Sequence, residues 1–194
     1  SHMMWTQKQL YGTLEYSALN GSKTASTSAS VAALMGGVIP SCTTSTVSGS
    51  SGTLTKAMID ELLLEMAGAG ATFERPAIFC NAFQLVQLSK IFGYQPASFT
   101  DGGVAIDRLR TNFGTWEIVY SRRVPAASIL FADMAQMAIV NQKVPGKTYM
   151  SDGLFMYEPK EKAGASSGGM IYGQLSIDFG SQLFHGSLTS LATS

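Results

Sequence analysis

The sequence has no excess of either charge. Thirteen basic residues stand against thirteen acidic ones, and charged side chains make up only 13% of its 194 residues, where soluble domains average roughly 25%. Proteins that grip nucleic acid by neutralising phosphates carry a clear basic surplus, and this composition does not describe one. Histidine is almost missing. Of the two present, His2 falls in the leading Ser1-His2-Met3, which reads as the remnant of a cleaved tag, so His185 is the one to reason about. Cysteine is limited to Cys42 and Cys80, isolated and without metal-ligand spacing, as expected of a reducing compartment. No apolar run approaches the roughly 18 residues of a membrane span, and no signal-peptide pattern is visible.

What replaces the missing charge is Gly, Ser, Thr and Gln, while hydrophobic content stays at 45%. A polar but uncharged surface costs little to desolvate. That suits a protein whose outside is buried against copies of itself, and a weakly charged monomer is the other reading. The length allows one sizeable core, undivided or in two lobes.

Along the chain, Leu10, Leu14 and Ala18 share a helical face that stops at Asn20-Gly21. No N-cap precedes Trp5, so the expectation is a fragment that begins inside a longer helix. Two small-residue tracts, 22–30 and 40–53, read as loops around the apolar anchor "VAALMGGVIP". Next comes an amphipathic helix with Met58, Ile59, Leu62, Leu63 and Met66 on one side, capped by Thr53 or Thr55 and ended by Gly68 or Gly70. "RPAIFC" reads as a buried strand, Asn81 as the cap of a helix running to Gly93, and 93–110 as an extended loop. Trp116, Ile118 and Tyr120 alternate as a strand, and Ile129, Leu130 and Phe131 form another closed by Asp133. The last third is expected to be one long antiparallel hairpin. Its second arm sets Ile171, Leu175, Ile177 and Phe179 on a buried face and Tyr172, Gln174, Ser176 and Asp178 on a wet one. On that register Ile177→Asp costs several kcal/mol and Gln174→Asp well under about 1 kcal/mol. The sum is an α+β fold, with helices and strands largely segregated.

Chemistry finds little support. The sequence has no His/Cys cluster, HExxH motif or acidic calcium loop, so no metal is expected. "SGTLTK" and "GASSGGMIYG" match neither phosphate-loop nor dinucleotide patterns, and no cofactor is expected. Asp178 lies an odd seven residues before His185, which on one regular strand puts the two side chains on opposite faces. A Ser-His-Asp hydrolase built on that pair is the unfavoured alternative, and an ordinary strand-end histidine the favoured reading. Asp60-Glu61 sits early in a helix, where carboxylates suit the dipole. Arg122-Arg123, between two strands in "SRRVP", reads as the solvated rim of a turn or as one half of an inter-subunit ion pair.

The order of these pieces is more informative than any one of them. A helix ending "EYSALNG", the anchor "GGVIP", a capped helix, a strand entering "CNAFQLVQLSKI", then "TNFGTWEIVYSRRVPAASILFADM" and a closing "LSIDFGSQLFHGSLTSL" together resemble the tailed-bacteriophage major capsid protein family. The resemblance covers nearly the whole chain. In that family Phe113-Gly114, Arg123, Pro125 and Asp133 mark a strand–turn–strand hairpin, and Asn81 a strand-to-helix junction.

The resemblance implies a Hong Kong 97-type fold with an axial and a peripheral lobe. Residues 1–3 are then a tag remnant, 4–52 the end of a spine helix and a loop of the peripheral lobe, and 53–133 the axial lobe. Residues 134–184 are the peripheral-lobe strands and 185–194 a C-terminal segment. It also implies a non-enzymatic structural subunit that self-assembles into capsomers and an icosahedral shell in the host bacterial cytoplasm. That shell, the virion capsid, encloses double-stranded DNA held non-specifically, with no membrane or small-molecule partner. Arg108, Arg110, Arg122 and Arg123 are the expected inter-subunit contacts. An encapsulin-like shell around cargo protein is the nearest alternative, and a phage-associated binding or tail module another. The family's N-terminal arm and extended loop are absent from this sequence, so a monomer or small ring is expected at micromolar concentration.

Overall fold

A computed structural model describes residues 2–25, 27–28, 33–92, 108–141, 156–159, 164, 168–172 and 175–193. Distances between Cα atoms divide the chain into two compact units, 1–137 with 179–194, and 138–178.

The larger unit opens with helix α1 (His2–Asn20), stopped where the Gly21 amide bonds back to the Ser17 carbonyl at 2.8 Å. The short helix α2 (Val38–Ser41) buries Val38, the apolar anchor expected from sequence. Gly37 lies directly against the backbone of Gly21 and Asn20, where any Cβ would collide. Glycine is required there for close approach rather than for an unusual φ. β1 (Thr46–Ser48) follows, inside the tract expected to be loop. Its strand character comes from a parallel partner near the C-terminus, which no local signal reports.

Helix α3 (Lys56–Gly68) begins at Thr55, whose hydroxyl accepts from the Met58 amide, and buries Ile59, Leu62, Leu63 and Met66 completely. This is the amphipathic face the spacing predicts, with Met58 at its half-buried margin. β2 (Pro76–Cys80) leads into α4 (Ala82–Ile91). Asn81 occupies the N-cap position, but its side chain does not cap the helix. Its Nδ2 donates to the Val124 carbonyl at 3.1 Å, which ties the strand-to-helix junction to the 121–128 connection. Residues 108–110, expected as part of an extended loop, belong to β3 (Arg108–Thr111), while 93–107 lie outside the described residues.

β4 (Gly114–Tyr120) and β5 (Ile129–Asp133) were expected to pair as a hairpin, and they do not. β2 lies between them, parallel to β4 and antiparallel to β5. The six-stranded sheet has the order β1-β10-β5-β2-β4-β3, in which β10 (His185–Thr189) runs antiparallel to β5 and parallel to β1. Every residue of β5 is buried. Lying between β10 and β2, the strand has its backbone hydrogen-bonding groups paired along both edges, which a two-stranded hairpin would leave open on one. The eight-residue connection 121–128 is long enough to step across the end of β2. At the centre of the core, Trp116 stands edge-on to Phe131 and to Phe73, with ring centroids 5.3 Å apart in each case. Gly186 lets α3 approach β10 closely, since a Cβ there would lie 2.7 Å from the Met66 sulfur.

The smaller unit contains two antiparallel ladders among the described residues. β6 (Ala138–Asn141) pairs with β9 (Leu175–Asp178), and β7 (Met156–Pro159) with β8 (Gly169–Tyr172). The single long hairpin is therefore split, its second arm paired to two separate strands. Alternation along β9 holds, with Leu175 and Ile177 half-buried and Ser176 and Asp178 exposed. The buried face is not fully buried, however: Ile139, directly across from Ile177, is 66% exposed. The burial states of Ile171 and Tyr172, and the structure around Gln174, lie outside the described residues.

Candidate functional site

The turn carrying Arg122-Arg123 is built by backbone closure. The Ser121 amide extends β4 by donating to the Cys80 carbonyl at 3.0 Å, and the Val124 amide folds back to the Ser121 carbonyl at 3.3 Å. The Ser121 hydroxyl then works in two directions, accepting from the Arg123 amide at 3.1 Å and donating to Glu15 of α1 at 2.5 Å. Asn20, at the end of α1, donates to the Arg123 carbonyl at 2.8 Å. The Arg123 guanidinium rests against Gly12, where a Cβ would lie 2.5 Å from its terminal nitrogen. Its Nε is buried and has no hydrogen-bond partner among the described residues. Arg123 is thus an internal strut between the turn and α1, whereas Arg122 is exposed.

Arg108 and Arg110 project from one face of β3, both exposed, across from Glu117 and Thr115 of β4. From Glu117 to the end of β4 at Tyr120 the strand advances three residues, about 10 Å, before the turn that carries Arg122 begins. The two arginine pairs therefore do not converge on a single anion site.

His185 is fully buried. The sequence offered Asp178 as a possible partner on one regular strand, but a 3-10 turn at Gln182–Phe184 lies between the two positions and no single strand joins them. The acid beside His185 is Asp133, because antiparallel pairing sets His185 opposite Ala132. The ring Nδ1 accepts from the Asp133 amide at 3.3 Å, and Nε2 lies 2.6 Å from the Phe179 carbonyl. A carbonyl can only accept, so Nε2 carries the proton and Nδ1 is bare. Burial pushes the imidazole pKa down, opposed in part by the Phe179 carbonyl and the Asp133 charge.

The Asp133 carboxylate accepts from the amides of Glu74, Arg75 and Ala135 at 2.8, 2.9 and 3.0 Å. Burial alone would raise its pKa, but the amides of Arg75, Ala135 and Glu74 outweigh it and hold the carboxyl below its ordinary value. The cluster ties β5, β10 and the segment entering β2 together. Both ring nitrogens are engaged with backbone groups, and neither meets a serine hydroxyl among the described residues. A hydrolytic site would need a free, accessible nitrogen facing its nucleophile. The sequence signal for this cluster was faint: an aspartate closing an otherwise apolar strand.

Burial also pushes the Cys42 thiol up to about 12 and Cys80 to about 11, so both stay protonated and inert as nucleophiles. Among the described residues no group of three or more His, Cys, Asp or Glu is placed to hold a metal ion, and no helix is long and apolar enough to cross a membrane.

Comparison with known proteins supplies what this geometry leaves open. The family model for the SU10 major capsid protein matches residues 2–192. Among solved structures, the holo-SrpI encapsulin complex from Synechococcus elongatus PCC 7942, determined by cryo-electron microscopy, superposes with a TM-score of 0.60 at 12% identity. That match covers 99% of this chain and 65% of the encapsulin subunit, so the chain spans about two thirds of that protein's length. The likeness shows the fold, which is the Hong Kong 97 type. No curated protein sequence matches the chain.

Proposed function

The chain belongs to the SU10 major capsid protein family, and from that membership we propose that it is a major capsid protein, a structural subunit of the shell of a tailed bacteriophage or prophage. The observation that carries this reading is the family match across residues 2–192. The fold supports it, since the similar encapsulin also builds a shell from this architecture. So does the low-charge surface, which costs little to bury between subunits.

In the finer reading the shell encloses double-stranded DNA without sequence recognition, assembles in the bacterial cytoplasm, and catalyses nothing. Residues 53–133 form the axial lobe. Residues up to 52 and 134–184 form the peripheral lobe; the separate compactness of 138–178 supports only the strand part of it, since 1–52 fall in the same compact unit as 53–133. Arg108, Arg110 and Arg122 face neighbouring subunits, while Arg123 is committed to its own chain's α1.

The test is to express the protein from its native reading frame and examine it by light scattering and negative-stain microscopy. Closed particles are expected, and a small monodisperse species under assembly-promoting conditions would overturn the reading. The encapsulin likeness favours a second occupant, cargo protein. Nuclease-protected DNA inside particles from phage-producing cells supports the capsid, and protein-filled particles free of DNA support the alternative.

A further inference from the structure

The two ends of the six-stranded sheet carry opposite charge. At one end α3 presses Ile59, Leu62, Leu63 and Met66 inward, with Leu62 and Met66 against Gly186 of β10. The helical repeat then turns Asp60, Glu61, Leu64 and Glu65 outward, all exposed. At the other end Arg108 and Arg110 leave one face of β3, the last strand of the sheet. β10 and β3 are four strand spacings apart in this order, about 19 Å. Among the described residues none of these five charged side chains has an ion-pair or hydrogen-bonding partner. The opposing charges nearby are Lys56, one turn before Asp60 on α3, Glu117 of β4, across from Arg108, and Asp107, the residue before Arg108 in sequence.

Leu64 sharpens the picture. It is 66% exposed in the middle of the acidic face, on a helix whose other large apolar residues are buried or half-buried. Ala57 and Gly68 lie along the same outward line and leave the helix flat there. An apolar centre rimmed by charge is the pattern of a contact surface.

We propose that the acidic outer face of α3 in one subunit docks on the Arg108–Arg110 edge of a second copy of this chain. The proposal rests on the shell-subunit reading and names the contact that reading leaves unspecified. Because the two patches lie at opposite ends of the sheet, the contact runs head to tail, and copies related by a rotation close into a ring. The arginine forks pair with carboxylates while their methylene stems lie along Leu64. Such charge pairs set register and partner choice more than total affinity, and the surrounding surface supplies the area. The bland alternative is that the arginines only guard an exposed sheet edge against aggregation; in that case α3 is not involved.

The experiment compares association of the wild-type chain with two reversals, Asp60→Arg/Glu61→Arg and Arg108→Glu/Arg110→Glu, and with all four changes combined. Sedimentation and light scattering provide the readout. Each reversal is expected to weaken association at least about tenfold, with the combined variant returning to within about threefold of wild type. If either reversal compromises folding, judged by circular dichroism, the neutral changes Asp60→Asn/Glu61→Gln and Arg108→Gln/Arg110→Gln replace them, and the expected result is loss of the wild type's salt sensitivity. A combined variant no better than the single reversals overturns the contact, while normal shells from the wild type leave the capsid reading standing. A wild type that never associates, even from its native reading frame, overturns both.

Discussion

Compare Phe131 with Ile139. They lie eight residues apart in one continuous stretch of chain, yet Phe131 is fully buried while Ile139 is 66% exposed. Phe131 belongs to a sheet of six strands covered by α3, and Ile139 to a two-stranded ladder. Two strands have too little surface to bury their own apolar face, so isolated hairpins are marginal in water. The larger unit supplies its own solvent exclusion; within the smaller, β6 and β9 do not. An apolar face built but left open is what a chain presents when its remaining burial comes from elsewhere, and a shell subunit has neighbours to provide it.

The sharpest way to break this contrast is to truncate the core. Phe131→Ala removes a ring stacked edge-on against Trp116 and is expected to cost about 3–5 kcal/mol, read by denaturant unfolding. A loss under about 1 kcal/mol would show that the sheet is not the stabilising unit. Gly186→Val adds bulk where Met66 and Leu62 already approach, and about 1–3 kcal/mol is expected because both side chains can yield only partly.

Acid should act on the larger unit through His185. Its folded pKa is depressed, so folding favours the neutral ring, and that stability is present above the unfolded value near 6.5 and lost as pH falls through the folded one. Asp133 is also depressed, but its contribution fades only below the unfolded value near 4. Melting temperature should therefore begin to fall below about pH 6.5, and His185→Gln should flatten the profile between that pH and about 4.5 at some cost in overall stability. An unchanged slope in the variant would exclude His185 as the sensor.

The smallest effect is expected in the open ladder. Ile177 is only half-buried, so Ile177→Asp in the unassembled chain should cost under about 1 kcal/mol, not the several expected for a buried face. A loss comparable to Phe131→Ala would mean that the smaller unit has a core of its own.

Helices were the legible part of this sequence. The spacing of Ile59, Leu62, Leu63 and Met66 predicts their burial on α3, and Thr55 caps that helix as its type allows. Strand existence was legible for β2, β4 and β5 and illegible for β1 and β3, whose small or charged residues are strand only because a neighbour pairs with them. The arginines were visible as candidates, but their separate fates were not. Arg123 is held by Gly12, Asn20 and Ser121, and the first two lie more than a hundred residues away.

Periodicity, charge balance and the order of elements are properties of neighbouring residues, so the sequence by itself determined the α+β class, the core face of α3, the weakly charged surface and the resemblance to capsid proteins. Which strands lie side by side depends on contacts closed over long loops. Only the tertiary structure decided that β2 separates β4 from β5, that His185 meets Asp133, and that Ile139 stays exposed while Ile177 is only half-buried. Local preference sets what each segment can be, and burial against distant partners selects among the arrangements it permits.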